Sequence, residues 1–276
     1  MTALSHATLE DRANIHRLRI IALGKAPSAS AYAALIATIQ ERTDDAVVAE
    51  ELFNESQKLG VRPNTYLYNT IISKLSRARK AEQALRLFDE MQKSNLRPSS
   101  VTYGAAINAC VRTGDESRAT QLFAEMESQP MFQPRVPPYN TMIQYYVHSV
   151  RNRDKALLYY EKMQHAGVRP SAHTYKLLLD AWGTIEPIQP ERQQALFARL
   201  SADRLVGAQG THWASLIHTQ GVVLRDLDQA KEIFDSIADR APTVPRGKSF
   251  TSTVPDAVVY EALFAVFVAH GRTDLM

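Results

Sequence analysis

TYLYNTIISKLSRARKAEQALRLFDEMQKSNLRPS, residues Thr65 to Ser99, is the stretch that decides how this chain folds. Tyr68, Ile71, Ile72 and Leu75 recur at helical spacing in its first half, and Ala84, Leu87, Phe88 and Met91 do so in its second, giving each half one apolar face. A cationic break at Ser76 to Lys80 separates the halves and Pro98 closes the unit, so the stretch predicts a hairpin of two short helices.

The unit then repeats. Tyr103 follows Tyr68 by 35 residues, Tyr139 and Tyr175 follow at steps of 36, and Trp213 and Tyr260 continue the series at 38 and 47. In the second helices Phe53, Phe88, Phe123, Tyr160, Phe197 and Phe234 keep steps of 35 to 37, and Pro63, Pro98, Pro134 and Pro170 close units at 35 or 36. A period in this range means a stacked array, because a lone hairpin leaves both flanks apolar and is stable only against its neighbours. The expected fold class is all-α, a solenoid of stacked antiparallel helix hairpins.

The order of markers, Tyr68-Asn69, then Ala84-x-x-x-Phe88-x-x-Met91, then Arg97-Pro98-Ser99, resembles a pentatricopeptide (PPR) repeat. The match is strong over Thr65 to Ser171 and detectable from about Ala29 onward. The tetratricopeptide repeat is the second-ranked reading, since Ser73 stands where it wants a small Gly. The resemblance implies a right-handed superhelix. The predicted organisation is an N-terminal capping helix and linker (1–28), six repeats (29–64, 65–99, 100–135, 136–171, 172–209 and 210–256), and the first helix of a seventh (257–276).

Thr8 with Asp11 reads as an N-cap box opening the capping helix, and Gly24 as its end. In repeat five GTIEPIQPE separates the helices, where Pro187 and Pro190 prevent helix continuation. In repeat six APTVPRGKSFTSTVP reads as a mobile surface loop. The last helix, VVYEALFAVFVAH, is apolar nearly all round and expects cover on more than one side, from further repeats or from a protein partner.

Composition limits the chemistry. The net charge of +3 permits an anionic partner without demanding one. The single Cys110 excludes internal disulfides, a cysteine-based zinc site and the zinc-deaminase chemistry of some plant members, and reads as a small core residue. No metalloprotease His pair, phosphate loop or nucleophile elbow occurs, so neither catalysis nor a cofactor is expected. No run of about 18 apolar residues exists to span a membrane. Glu10 and Asp11 make the N-terminus a poor organelle transit peptide.

What the resemblance implies is binding of single-stranded RNA, each base being read by two or three side chains per repeat. It assigns the main reader to the residue after the Tyr and its partner to the residue after the closing Pro. The pairs are Ala33/Asn64, Asn69/Ser99, Gly104/Arg135, Asn140/Ser171, Lys176 with Ala208 or Gln209, and Ala214/Asp256, with Glu261 as the main reader of repeat seven. Asn with Ser leans toward cytosine. Tyr66, Val101, Pro137 and His173 would form the stacking wall, and Arg77, Arg112 and His148 recur where they could hold phosphates or complement helix dipoles. Capping alone accounts for Asn64, Ser99, Ser171 and Asp256. It does not account for Asn69 or Asn140, which sit inside helices where Asn is unfavourable by several tenths of a kcal/mol against Ala. Only those two pairs carry the expected reader type. The resemblance implies a mitochondrial role in RNA maturation, stability or translation. A protein-binding helical scaffold is the alternative, and an RNA-processing enzyme with its catalytic domain outside this chain is a third.

Overall fold

The computed structural model describes residues 2–39, 45–130, 132–203, 205–239 and 255–276. Among them lie fourteen α-helices and no strand: α1 Thr2–Ala22, α2 Ala29–Thr38, α3 Asp45–Lys58, α4 Thr65–Arg77, α5 Ala81–Lys93, α6 Ser100–Arg112, α7 Glu116–Ser128, α8 Val136–Gln144, α9 Arg153–His165, α10 Ala172–Thr184, α11 Pro190–Ala202, α12 Gly210–His218, α13 Leu227–Asp239 and α14 Ala257–Ala269. The chain forms two compact units, Met1–Thr141 and Met142–Met276.

In the first unit α2, α4 and α6 lie side by side, and each packs on the helix that follows it, α3, α5 and α7. The two aromatic series seen in the sequence meet between hairpins. Phe53 packs on Tyr68 with ring centroids 5.9 Å apart, Phe88 on Tyr103 at 5.3 Å, and Phe123 on Tyr139 at 5.2 Å. The second helix of one hairpin thus grips the first helix of the next. Edge-on contacts of this kind contribute about 0.5–1.5 kcal/mol each beyond area burial, and this is why two markers on different helices share one period.

A second ladder escaped the sequence reading. The hydroxyls of Tyr32, Tyr68 and Tyr103 donate to Glu55, Glu90 and Glu125 at 2.7, 2.8 and 2.9 Å. Gln57 and Gln92 then donate across to Glu90 and Glu125 of the next hairpin. Each buried phenol thereby satisfies its polar end. Cys110 is buried, and that burial pushes its thiol pKa up to about 11, which fits the core role read from the sequence.

Turn geometry follows the repeat. Arg79, Gly114, Arg151 and Arg225, each between a first and a second helix, all adopt left-handed backbone. From the series aromatic to this residue the chain counts 11 positions for Tyr68 and Tyr103 but 12 for Tyr139 and Trp213. The extra residue is absorbed as a turn of π-helix, Tyr145–Ser149 after α8 and Thr219–Val223 after α12.

In the second unit α10 packs on α9, α11 and α12, and α12 on α13 and α14, around Leu178, Leu179, Phe197, Trp213, Ile217 and Val266. Phe197 meets Trp213 at 4.4 Å and Phe234 meets Tyr260 at 5.3 Å. Gly221, in the second π-turn, allows α14 to approach, for a Cβ there would fall 2.3 Å from a Val266 methyl. Gly221→Ala is therefore expected to lower stability by about 1–3 kcal/mol through overpacking, read as a lower urea midpoint. An unchanged midpoint would show that this packing is loose.

Two expectations are corrected. Helix α1 begins at Thr2, so Thr8 lies inside it and does not start it. The side chain of Asp11 lies outside the described residues, as do residues 241–254 of the loop read as mobile. In repeat five α10 continues through Gly183 and Thr184, leaving only Ile185 to Gln189 between the helices. The end of α1 does match. Gly24 is left-handed, its N–H donates to Ile21 O and that of Lys25 to Ile20 O, which closes the helix as a Schellman motif.

Candidate nucleic-acid interface

The residue after each series Tyr lies in the second turn of a first helix, facing its neighbour. In the first unit Ala33 and Gly104 are fully buried, Asn140 is nearly so, and Asn69 is half-buried. Two residues before the Tyr, Tyr66 and Val101 are 50% and 44% exposed at the same register of consecutive helices. They expose apolar surface on consecutive helices, and the Tyr66 ring offers a face on which a planar group can stack.

The residues after the closing prolines cap helices. Asn64 accepts from Leu67 N at 2.9 Å and donates to Ser30 Oγ, Ser99 accepts from Thr102 N, and Asp256 accepts from Val259 N at 3.1 Å. In the second unit Ser171 accepts from Thr174 N, completing a box identical to that of Ser99. Capping satisfies an otherwise orphaned helix N–H. It leaves the second lone pair of the Ser99 hydroxyl chemically able to accept another bond.

Several of the residues singled out in the sequence are held for other work. Gly104 permits close approach, since a Cβ there would lie 3.2 Å from Pro137 Cβ and 3.4 Å from Pro138 N. It is a packing position and offers no side chain to a base, contrary to the assignment made for it. Restoring a reader with Gly104→Asn is expected to cost about 1–3 kcal/mol, seen as a depressed thermal midpoint. A variant as stable as the parent would refute the crowding.

Lys176 pairs with Asp180 at 2.5 Å, and the buried Asp180 carboxylate also accepts from Ser215 Oγ at 2.8 Å and faces His148 Nε2 at 3.5 Å. The ammonium assigned as a reader is thus committed to an internal carboxylate. Burial holds His148 and His173 below the ordinary imidazole range, with Asp180 pulling the other way, so neither carries a full charge at neutral pH. His173 remains exposed. Arg77, Arg112 and Arg135 are exposed, and Arg112 Nη1 reaches the backbone carbonyl of Arg77 at 3.4 Å, where it complements the C-terminal end of α4. Among the described residues no cluster of His, Cys, Asp or Glu could hold a metal, and no helix is long and apolar enough to cross a membrane.

Sequence reasoning missed how Asn69 is held. Thr102, on the next first helix, donates its hydroxyl to Asn69 Oδ1 at 2.6 Å. The signal that could have found it is a Thr 33 residues after Asn69 and another 34 residues after Asn140.

All-α helix hairpins repeating every 35 to 37 residues define a helical-repeat protein. The chain belongs to the pentatricopeptide-repeat family: models of the PPR repeat family match residues 63–112 and 134–183, and a model of the PPR repeat matches 101–130. It is 52% identical over 214 residues to the pentatricopeptide repeat-containing protein 5, mitochondrial, of Schizosaccharomyces pombe; the match covers 77% of this chain and 17% of that protein's length. Among solved structures it resembles PPR10 from maize, with a TM-score of 0.60 at 21% identity, over 95% of this chain and 35% of that one. It also resembles the PPR domain of Arabidopsis thaliana protein-only RNase P 1 in complex with tRNA, with a TM-score of 0.51 at 20% identity, over 64% of this chain and 90% of that one. These likenesses establish the fold.

Proposed function

We propose that this chain binds single-stranded RNA along its first helices and acts in mitochondrial RNA maturation, stability or translation, with no catalysis of its own. The observation that carries the reading is the exposed edge of Tyr66 and Val101 beside Asn69 and the Ser99 hydroxyl, apolar faces next to a hydrogen-bonding group at one register. That combination suits unpaired bases, which offer a π-face and a polar edge together. The mitochondrial designation of the Schizosaccharomyces pombe relative supports the location. Maize PPR10, solved in complex with an 18-nt psaJ RNA element, supports the ligand class.

With Gly104 and Lys176 committed elsewhere, the two Asn/Ser pairs, Asn69/Ser99 and Asn140/Ser171, supply the base discrimination, and cytosine is the base assigned to them. The test is titration of fluorescent single-stranded RNA at several salt concentrations. Affinity is expected to fall steadily as salt rises, because phosphate contacts release counterions. No binding even at low salt would overturn the reading and favour a protein-binding scaffold. For the scaffold speaks α14, whose Val258, Tyr260, Phe264 and Val268 are 41%, 44%, 38% and 59% exposed.

A further inference from the structure

We infer that Thr102 is a specificity-positioning residue for Asn69, so that base choice at one repeat is set partly by the following repeat. The inference rests on the proposal that Asn69 faces a base. Asn69 lies on α4 and Thr102 on α6, and the contact between them is the 2.6 Å bond from Thr102 Oγ1 to Asn69 Oδ1. That length falls in the range of O–H···O bonds and below that of N–H···O bonds, so it is the amide oxygen that faces Thr102.

Thr102 Oγ1 accepts the Ser99 backbone N–H at 2.8 Å and lies 3.1 Å from Ser99 Oγ, a pair in which either hydroxyl can donate. The Asn69 oxygen, at 2.6 Å, is the nearer acceptor for the single Thr102 hydrogen, and the Ser99 hydroxyl can fill the remaining acceptor position. Thr102 is fully buried, so water does not compete for the bond. The consequence is directional. With Oδ1 engaged by α6, the Nδ2 hydrogens are the groups that Asn69 has left to offer a base. An amide free to turn could offer a donor or an acceptor with equal ease; one pinned through its oxygen presents donors, which selects for bases with acceptors at the matching position.

The sequence carries a matching pattern. The position equivalent to Thr102 immediately precedes the series aromatic of the following repeat. The two repeats with Asn as reader are followed by Thr there, Asn69 by Thr102 and Asn140 by Thr174. The repeats with Ala33, Gly104, Lys176 and Ala214 are followed by Leu67, Pro138, His212 and Val259, none of which carries a hydroxyl. Thr102 and Thr174 also close capping boxes with Ser99 and Ser171, so the Thr102 hydroxyl serves its own helix cap and the Asn69 amide together.

The experiment selects RNAs from a randomised single-stranded pool with the parent protein and with Asn69→Ala, Thr102→Val, Thr102→Ala and Thr102→Ser, checking helicity of each. The parent is expected to enrich one base at the position read by Asn69, and Asn69→Ala to lose that enrichment. Thr102→Val, nearly isosteric but without the hydroxyl, is expected to lose two- to tenfold of the preference at that position alone, the scale of one hydrogen bond. Thr102→Ser should retain it. Should Thr102→Val fail to fold, Thr102→Ala provides the hydroxyl-free comparison. Full preference in a folded hydroxyl-free variant, together with its loss in Asn69→Ala, would overturn the role of Thr102 while leaving Asn69 as reader. Unchanged enrichment in Asn69→Ala would instead sink the reading of Asn69 itself. Loss of preference in Thr102→Ser with helicity intact would show that packing, and not the hydroxyl, is responsible.

Discussion

Arg153→Met is expected to destabilise the protein by roughly 3–5 kcal/mol, the cost of leaving buried groups that relied on a charged partner. Arg153 is only 8% exposed. Its Nε donates to Ala181 O at 2.9 Å, its Nη2 donates to Pro187 O at 2.7 Å and to Ile185 O, and its guanidinium lies 4.8 Å from the Trp182 ring centre. One side chain from the start of α9 therefore satisfies the carbonyls that α10 and the Ile185 to Gln189 connection would otherwise bury unpaired. Methionine keeps the apolar stem and supplies no donor. Urea unfolding followed by Trp182 fluorescence should show the loss as an early transition. A midpoint equal to the parent's would mean that water takes over the carbonyls and that the guanidinium is not structural.

Asn69→Ala combined with Asn140→Ala is expected to weaken RNA binding by one to two orders of magnitude or more, taking about 1–3 kcal/mol for each lost base contact. The fold should survive, because the better helix propensity of Ala at both positions offsets part of the cost of leaving the Thr102 hydroxyl without its Asn69 acceptor. Circular dichroism should therefore be unchanged while the fluorescence titration shifts. The salt slope should stay as in the parent, because amides neutralise no phosphate. A shallower slope with unchanged affinity for a chosen base would assign these residues to the backbone; equal affinity throughout would remove them from the interface.

The repeat was legible because stacking imposes a period on the residues that do the gluing. Tyr68, Tyr103 and Tyr139 meet Phe53, Phe88 and Phe123 across hairpin boundaries, and each contact demands an aromatic at a fixed phase. The candidate positions came from the family resemblance, and the residues by themselves do not give their role. Ser99 and Ser171 look alike in sequence as caps or as readers, and a capping hydroxyl bonds within its own helix, whichever surface it faces. Gly104 and Lys176 fell on reader positions, yet Pro137 crowds the first and a carboxylate four residues on pairs with the second.

By itself the sequence determined the helices, their pairing into hairpins and the family, since periodicity and turn chemistry are local properties written every 35 to 37 residues. Only the tertiary structure decided which polar side chains remain available. The Tyr–Glu ladder, the Arg153 clamp and the Thr102–Asn69 bond all join residues 22 to 34 positions apart. The partners are fixed by how neighbouring helices pack, and a hydrogen bond a few tenths of an ångström too long is no bond, so a spacing in the sequence nominates such pairs without telling which of them bond.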